Sequence, residues 1–158
     1  MDTPVLQTAE ALEKIRADLA AGRPCHLVVT GGSMVPFLRH KKSAVVLTSP
    51  TPPYRRGDIL LYLRRSDWCI LHRVVRVQKD GTLVMCGDAQ TAPEIIRPEQ
   101  VVAQVSHVRH GAKITDCRAW YLRTAVALWM ALRFVRRPLL AAAEWRSARE
   151  IPISVLCF

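Results

Sequence analysis

Between residues 26 and 108 the apolar positions fall into short β-branched and aliphatic runs: "HLVVT", "SAVVLT", "DILLYL", "CILHRVVRV", "TLVMC" and "VVAQVSHV". Proline, glycine and charged residues divide them, the punctuation of a compact, mostly antiparallel β domain. Ahead of this region the period changes. Val5, Leu6, Ala9, Leu12, Ile15 and Leu19 recur at helical spacing, with Thr3 as a cap, Pro4 in the first turn and Gly22 at the end. After about Asp116 the chain turns to Ala, Leu, Trp and Arg, which favour helix until Pro138 breaks or kinks it. The pattern therefore predicts a mainly β protein with an N-terminal helix and C-terminal helices. Its units are an amphipathic helix over 1–22, a β-rich domain over 23–112 and a basic, aromatic helical tail over 113–158.

The chain has 158 residues, half of them hydrophobic and 23% charged, enough for one folded domain with its own core. Charge adds a constraint, because 23 Lys and Arg against 13 Asp and Glu leave a net +10. An anionic partner is expected. The basic residues are spread over several segments and match no zinc-finger or RNA-binding motif, so no nucleic acid is expected and an anionic membrane surface is the better candidate. In the tail, the longest uncharged stretch is the nine residues Thr124 to Leu132, about 14 Å of helix against a hydrocarbon core of about 30 Å. It cannot span alone. Arg118, Arg123, Arg133, Arg136 and Arg137, interleaved with Trp120, Tyr121 and Trp129, suit a helix lying on an anionic leaflet. They equally suit a terminal helix docked on the β domain with its arginine stems solvated. The N-terminus is acidic at Asp2 and does not read as a secretory signal. Membrane association, peripheral or through the tail and on the cytoplasmic side, is the resulting expectation.

Five cysteines, at 25, 69, 86, 117 and 157, show no paired spacing and read as free thiols. Cys69 with His72, and His107 with His110, are three apart and would face opposite sides of a strand. No metal site and no cofactor are therefore expected.

Four short motifs carry the candidate chemistry. In "VVTGGSMVPFLR" (28–39), Ser33 follows two glycines and precedes Pro36. That is an ordinary turn composition, and also a way to hold a nucleophilic hydroxyl where a carbonyl can approach the backbone. "RRGDILLYL" places Gly57-Asp58 before an apolar strand. "CILHRVVRV" sets Ile70, His72 and Val74 on one face, where a histidine is most often a buried structural residue. "MCGDAQTAPE" ends a strand at Gly87 and offers Asp88, with Glu94 six residues on.

A hairpin at Asp80-Gly81 joins the second pair. A two-residue loop would set His72 opposite Ala89; a three-residue loop would set it opposite Asp88. Either register brings Asp88 near the imidazole, so that Ser33, His72 and an acid acquire the roles of attack, proton transfer and orientation.

Ser33-Met34-x-Pro36, Arg56-Gly57-Asp58, His72-Arg73-Val74 and Gly87-Asp88, in this order, resemble the signal peptidase I family of serine peptidases over roughly residues 27–108. That family shares its β fold with the self-cleaving SOS repressors. The His-Arg-Val block is similar to the endoplasmic-reticulum, archaeal and sporulation branch, whose base is histidine rather than lysine. The resemblance implies Ser33 as acylated nucleophile, His72 as general base, and Asp88 or Glu94 as its partner. It implies Gly32, Met34 and the Ser33 N–H in the oxyanion and substrate pocket, with Asp58 and Arg73 holding the site's shape. Gly31 stands where the family often carries an oxyanion-binding hydroxyl.

The implied function is a serine endopeptidase that cleaves an extended signal or leader peptide after small residues. The alternatives are a cytosolic leader-peptide or self-processing regulatory peptidase, and a non-catalytic membrane-associated β module.

Overall fold

The computed structural model describes residues 8–64 and 68–132. Its elements, in chain order, are α1 (Thr8–Ala20), β1 (Cys25–Val28), β2 (Ser43–Thr48), β3 (Ile59–Leu63), β4 (Cys69–Val77), β5 (Leu83–Cys86), β6 (Glu94–Ile96), β7 (Val101–His110), β8 (Lys113–Asp116) and α2 (Trp120–Ala131). The eight strands form one antiparallel sheet in the order β1-β2-β7-β3-β4-β5-β6, with β8 on β7. The long β7 uses one edge for β2, while β3 and β8 share the other. The protein is thus mainly β with a helix at each end, as the apolar pattern predicts. The sheet also reaches through β8 into residues that the sequence pattern assigns to the tail.

Two apolar clusters lie on the two faces of the sheet. On one, Ala11, Ile15 and Leu19 of α1 meet Leu27, Val45 and Leu61. On the other, Leu60, Tyr62, Val74, Met85 and Ile96 pack together. Strand alternation does the sorting, since Ile59 and Leu61 face one cluster and Leu60 and Tyr62 the other. The uninterrupted apolar run of β3 is explained by burial on both faces. In α1 the buried stripe is Ala11-Ile15-Leu19 at strict i, i+4 spacing, whereas Ala9, expected inside, is exposed. Thr3, Pro4, Val5, Leu6, Pro138 and Cys157 lie outside the described residues. No disulfide joins Cys25, Cys69, Cys86 and Cys117 to one another.

Helix α2 docks on the sheet domain. Val126 and Met130 are buried, each worth about 1.5–3 kcal/mol as an apolar side chain removed from water. Trp129 donates its indole N–H to the Asp88 carbonyl at 3.0 Å, and Arg123 lies 3.7 Å from Asp58. Trp120, Tyr121, Leu128 and Leu132 remain exposed. Among the described residues no helix is long and apolar enough to cross a membrane.

Candidate active site

The loop after β1 is tied down on both sides of Ser33. Before it, the Gly31 N–H donates to Nδ1 of His40 at 2.9 Å, and Gly31 holds φ +89°, a conformation that favours glycine. After it, Val35 N–H reaches the Gly32 carbonyl, Leu38 N–H reaches the Met34 carbonyl, and the Met34 and Leu38 side chains sink into the α1-side core. The N–H groups of Gly32, Ser33 and Met34 donate to no acceptor among the described residues. Three consecutive free donors beside a hydroxyl suit an anionic oxygen, and they can do the work for which Gly31 carries no side chain. Met34 itself is buried in the core rather than lining an open pocket.

His72 sits on β4 paired with Leu60, 4% exposed, on the face of Tyr62 and Val74. The hairpin begins in the register of a three-residue loop, with Gln78 N–H bonded to the Thr82 carbonyl and Val77 opposite Leu83. It does not end there. A bulge between Val74 and Arg76 shifts the pairing by one, so that Arg73 faces Cys86 and the next position along sets Gly87, not Asp88 or Ala89, across from His72.

That shift decides the site. By alternation the absent Gly87 side chain points to the His72 face, and the space it leaves is filled by the Ser33 carbonyl, which would lie 2.6 Å from a Cβ built there. The same carbonyl accepts the Ala89 N–H at 2.8 Å. Directly opposed Cβ positions lie about 5 Å apart, so the Ser33 backbone is seated one side chain's reach from the imidazole. The Ser33 hydroxyl makes no hydrogen bond to any described residue, His72 included; such bonds commonly tighten only when substrate arrives.

The Nδ1 edge of His72 is fully engaged. Tyr62 oxygen lies 3.1 Å from it, and a Glu94 carboxylate oxygen lies 3.6 Å away. Tyr62 in turn donates a short hydrogen bond to Glu94, and Arg64 grips the same carboxylate through two N–H groups at 2.8 Å. Burial pushes the Glu94 carboxyl up, but the hydrogen bonds from His72, Arg64 and Tyr62 outweigh it and hold the group well below the ordinary carboxylate range. Burial, then the bond to Glu94, pushes the Tyr62 hydroxyl far above its ordinary value. Glu94 is therefore a carboxylate and Tyr62 a phenol whose single proton points at it. The Tyr62 oxygen has only lone pairs left for His72, so Nδ1 carries a proton, and in the neutral ring Nε2 presents its lone pair. Nε2 bonds to no described residue.

Asp88 takes no part in orienting His72. Its two oxygens accept Nε and Nη2 of Arg73, each at 2.7 Å, in a bidentate pair 3–4% exposed. Arg73 also donates to the Gly57 carbonyl and lies 5.1 Å over the Phe37 ring, which stacks edge-on against Trp129. Asp58 accepts the Arg55 N–H and its carbonyl accepts the Val74 N–H. Arg73, Asp58 and Asp88 thus join the Ser33 loop, the Gly57 turn, the 87–89 turn and α2 into one frame. Of the two carboxylates left open by spacing, it is Glu94 that faces the imidazole.

Sequence reasoning missed Tyr62 and Arg64. The signal for Tyr62 was present, since an aromatic with a hydroxyl inside an otherwise aliphatic strand needs a polar partner when buried. Its partner was not legible, because Tyr62 is paired with Ile70 and meets His72 diagonally.

Comparison of the chain with protein-family models, curated proteins and solved structures returns no match.

Proposed function

We propose that this chain is a serine endopeptidase of the signal peptidase type, acting through Ser33 and His72. The observation that carries the reading is the seating of Ser33 on Gly87, across from a histidine whose Nδ1 is locked as a donor and whose Nε2 is free. Nε2 takes the Ser33 proton as Oγ bonds to the substrate carbonyl carbon. The resulting oxyanion meets the N–H groups of Gly32, Ser33 and Met34. Collapse breaks the C–N bond, with the imidazolium proton going to the leaving amine, and water then hydrolyses the ester with His72 again as base. Tyr62 and Glu94 keep the imidazole in one tautomer and steady its charge. Strand β1 is a sheet edge that leads into the nucleophile loop, so an extended peptide adding to it brings its carbonyl towards Ser33.

The test is incubation of the purified chain with a peptide library and mass-spectrometric reading of the new termini. Cleavage after small residues, abolished in folded Ser33→Ala and His72→Ala variants, supports the proposal. Cleavage that survives in folded Ser33→Ala, or capture of peptides with no cleavage, overturns it.

A further inference from the structure

A separate cavity lies away from this site. A cleft of about 840 Å³ lies between α2 and the sheet, lined by Ile59 and Arg73 of the opposite sheet face, and neither Ser33, His72, Tyr62 nor Glu94 reaches it. Its volume falls in the range of small-molecule sites. Leu38, Ile59, Val108, Val126 and Met130 make it apolar along its length.

Its charge is one-sided. Among the described lining residues there is no carboxylate, whereas Arg39, Lys42, Arg56, Arg73, Lys113 and Arg123 are present. At the α2 end the cations are answered, Arg73 by Asp88 and Arg123 by Asp58. At the opposite end, Ser43 pairs with His110 and His110 with Lys113, which gathers Arg39, Lys42 and Lys113 around one mouth. These three cations make no ion pair with any described residue. Clustered like charges without counter-charges are costly unless an anion completes them.

We propose that this cleft binds an anionic phospholipid at a membrane surface, with the phosphate at Arg39, Lys42 and Lys113 and one acyl chain along the apolar floor beneath α2. The ligand class follows from the pairing of an acid-free cationic mouth with a long apolar interior, which a free phosphate would leave empty and an acidic peptide would fill with the wrong chemistry. Trp120, Leu128 and Leu132, exposed residues that do not line the cleft, give the surrounding bilayer interface amphipathic and apolar contacts. The chain's own residues 133–158, with five arginines against two glutamates, do not complement a basic mouth.

The experiment is co-flotation of the full chain with phosphatidylcholine vesicles, with and without phosphatidylglycerol. Binding is expected only with phosphatidylglycerol. Reversal of the three mouth charges, Arg39→Glu/Lys42→Glu/Lys113→Glu, should weaken it at least about a hundredfold, since each cation near an anionic surface contributes roughly fivefold. The charge-matched control Arg76→Glu/Lys79→Glu/Arg97→Glu, in residues exposed elsewhere, should weaken it much less. Ala127→Trp, at an exposed helix position that lines the cleft, leaves every charge in place and should also reduce binding by filling the interior. Circular dichroism verifies folding of each variant. Equal losses in the mouth and control variants, no effect of Ala127→Trp, or full displacement by inorganic phosphate or polyglutamate would each overturn the proposal. Peptide cleavage in solution is a separate readout that these variants leave unchanged, so this idea and the peptidase reading fail independently.

Discussion

The Tyr62 hydroxyl stands between His72 and Glu94, 3.1 Å from Nδ1 of the imidazole and donating its own hydrogen bond to the carboxylate. A residue on the neighbouring strand thereby decides which ring nitrogen carries hydrogen. Tyr62→Phe keeps the ring's packing and removes this instruction. On the proposed mechanism the expected result is a fall in kcat of on the order of tenfold to a hundredfold, less than the whole contribution of a general base, together with a changed pH dependence of kcat/KM. A purely structural tyrosine would lower the melting temperature and leave the pH profile where it was.

Glu94 links the same cluster to acid stability. Burial raises its pKa, the bonds from His72, Arg64 and Tyr62 lower it further than burial raises it, and the folded group ends below its ordinary 4.5. Between those two values the unfolded chain binds more protons than the folded one. The contribution of Glu94 is complete above the ordinary carboxylate pKa and is lost as pH falls towards the folded value. Urea midpoints measured from neutral pH down to about pH 3 should drop less steeply for Glu94→Gln than for the parent chain. Parallel slopes for the two chains would contradict this account.

The ion pair of Arg73 with Asp88 is buried, so breaking it leaves a charge without a partner. Asp88→Asn should destabilise the fold by about 3–5 kcal/mol, and Arg73→Met/Asp88→Leu should recover most of that loss. Chemical denaturation measures both. Were Asp88 instead the group that orients His72, Asp88→Asn would spare stability and move the pH profile.

At Gly87 a methyl group has nowhere to go on one side. A Cβ would lie 2.6 Å from the Ser33 carbonyl, which is backbone, and 2.9 Å from the Gln90 amide oxygen, which is a flexible side chain. Gln90 can move aside, but Ser33 can do so only by shifting its loop. Gly87→Ala should cost about 1–3 kcal/mol of stability and reduce kcat by more than that cost explains. A variant with parental kcat would show that the seating of Ser33 on Gly87 is irrelevant to turnover.

The chemistry-bearing residues differ in how far they could be read before folding. Ser33 and His72 stood out through local motifs, and the face of His72 on β4 followed from alternation, which is why it was placed beside Val74 and is found there. The choice between Asp88 and Glu94 was left open by spacing. It turned on a single extra residue near Val75, because a bulge moves every later pairing by one and alternation within one strand carries no sign of it. Helix α2 could equally have lain on a membrane or on the sheet by its composition. What docks it is Trp129 reaching the Asp88 carbonyl and Phe37, contacts between segments 41 and 92 residues apart.

By itself the sequence determined the strand runs, the terminal helices and the face of β4 on which His72 lies with Val74. These depend on periods of two and 3.6 residues and on glycine and proline, all of them local properties of the chain. Tertiary structure alone decided the register that puts Gly87 beside His72, the tyrosine placed between imidazole and carboxylate, and the basic cleft under α2. Each of these depends on where distant segments come to rest, and that is set by the closing of loops and the packing of two cores rather than by any pattern within a strand.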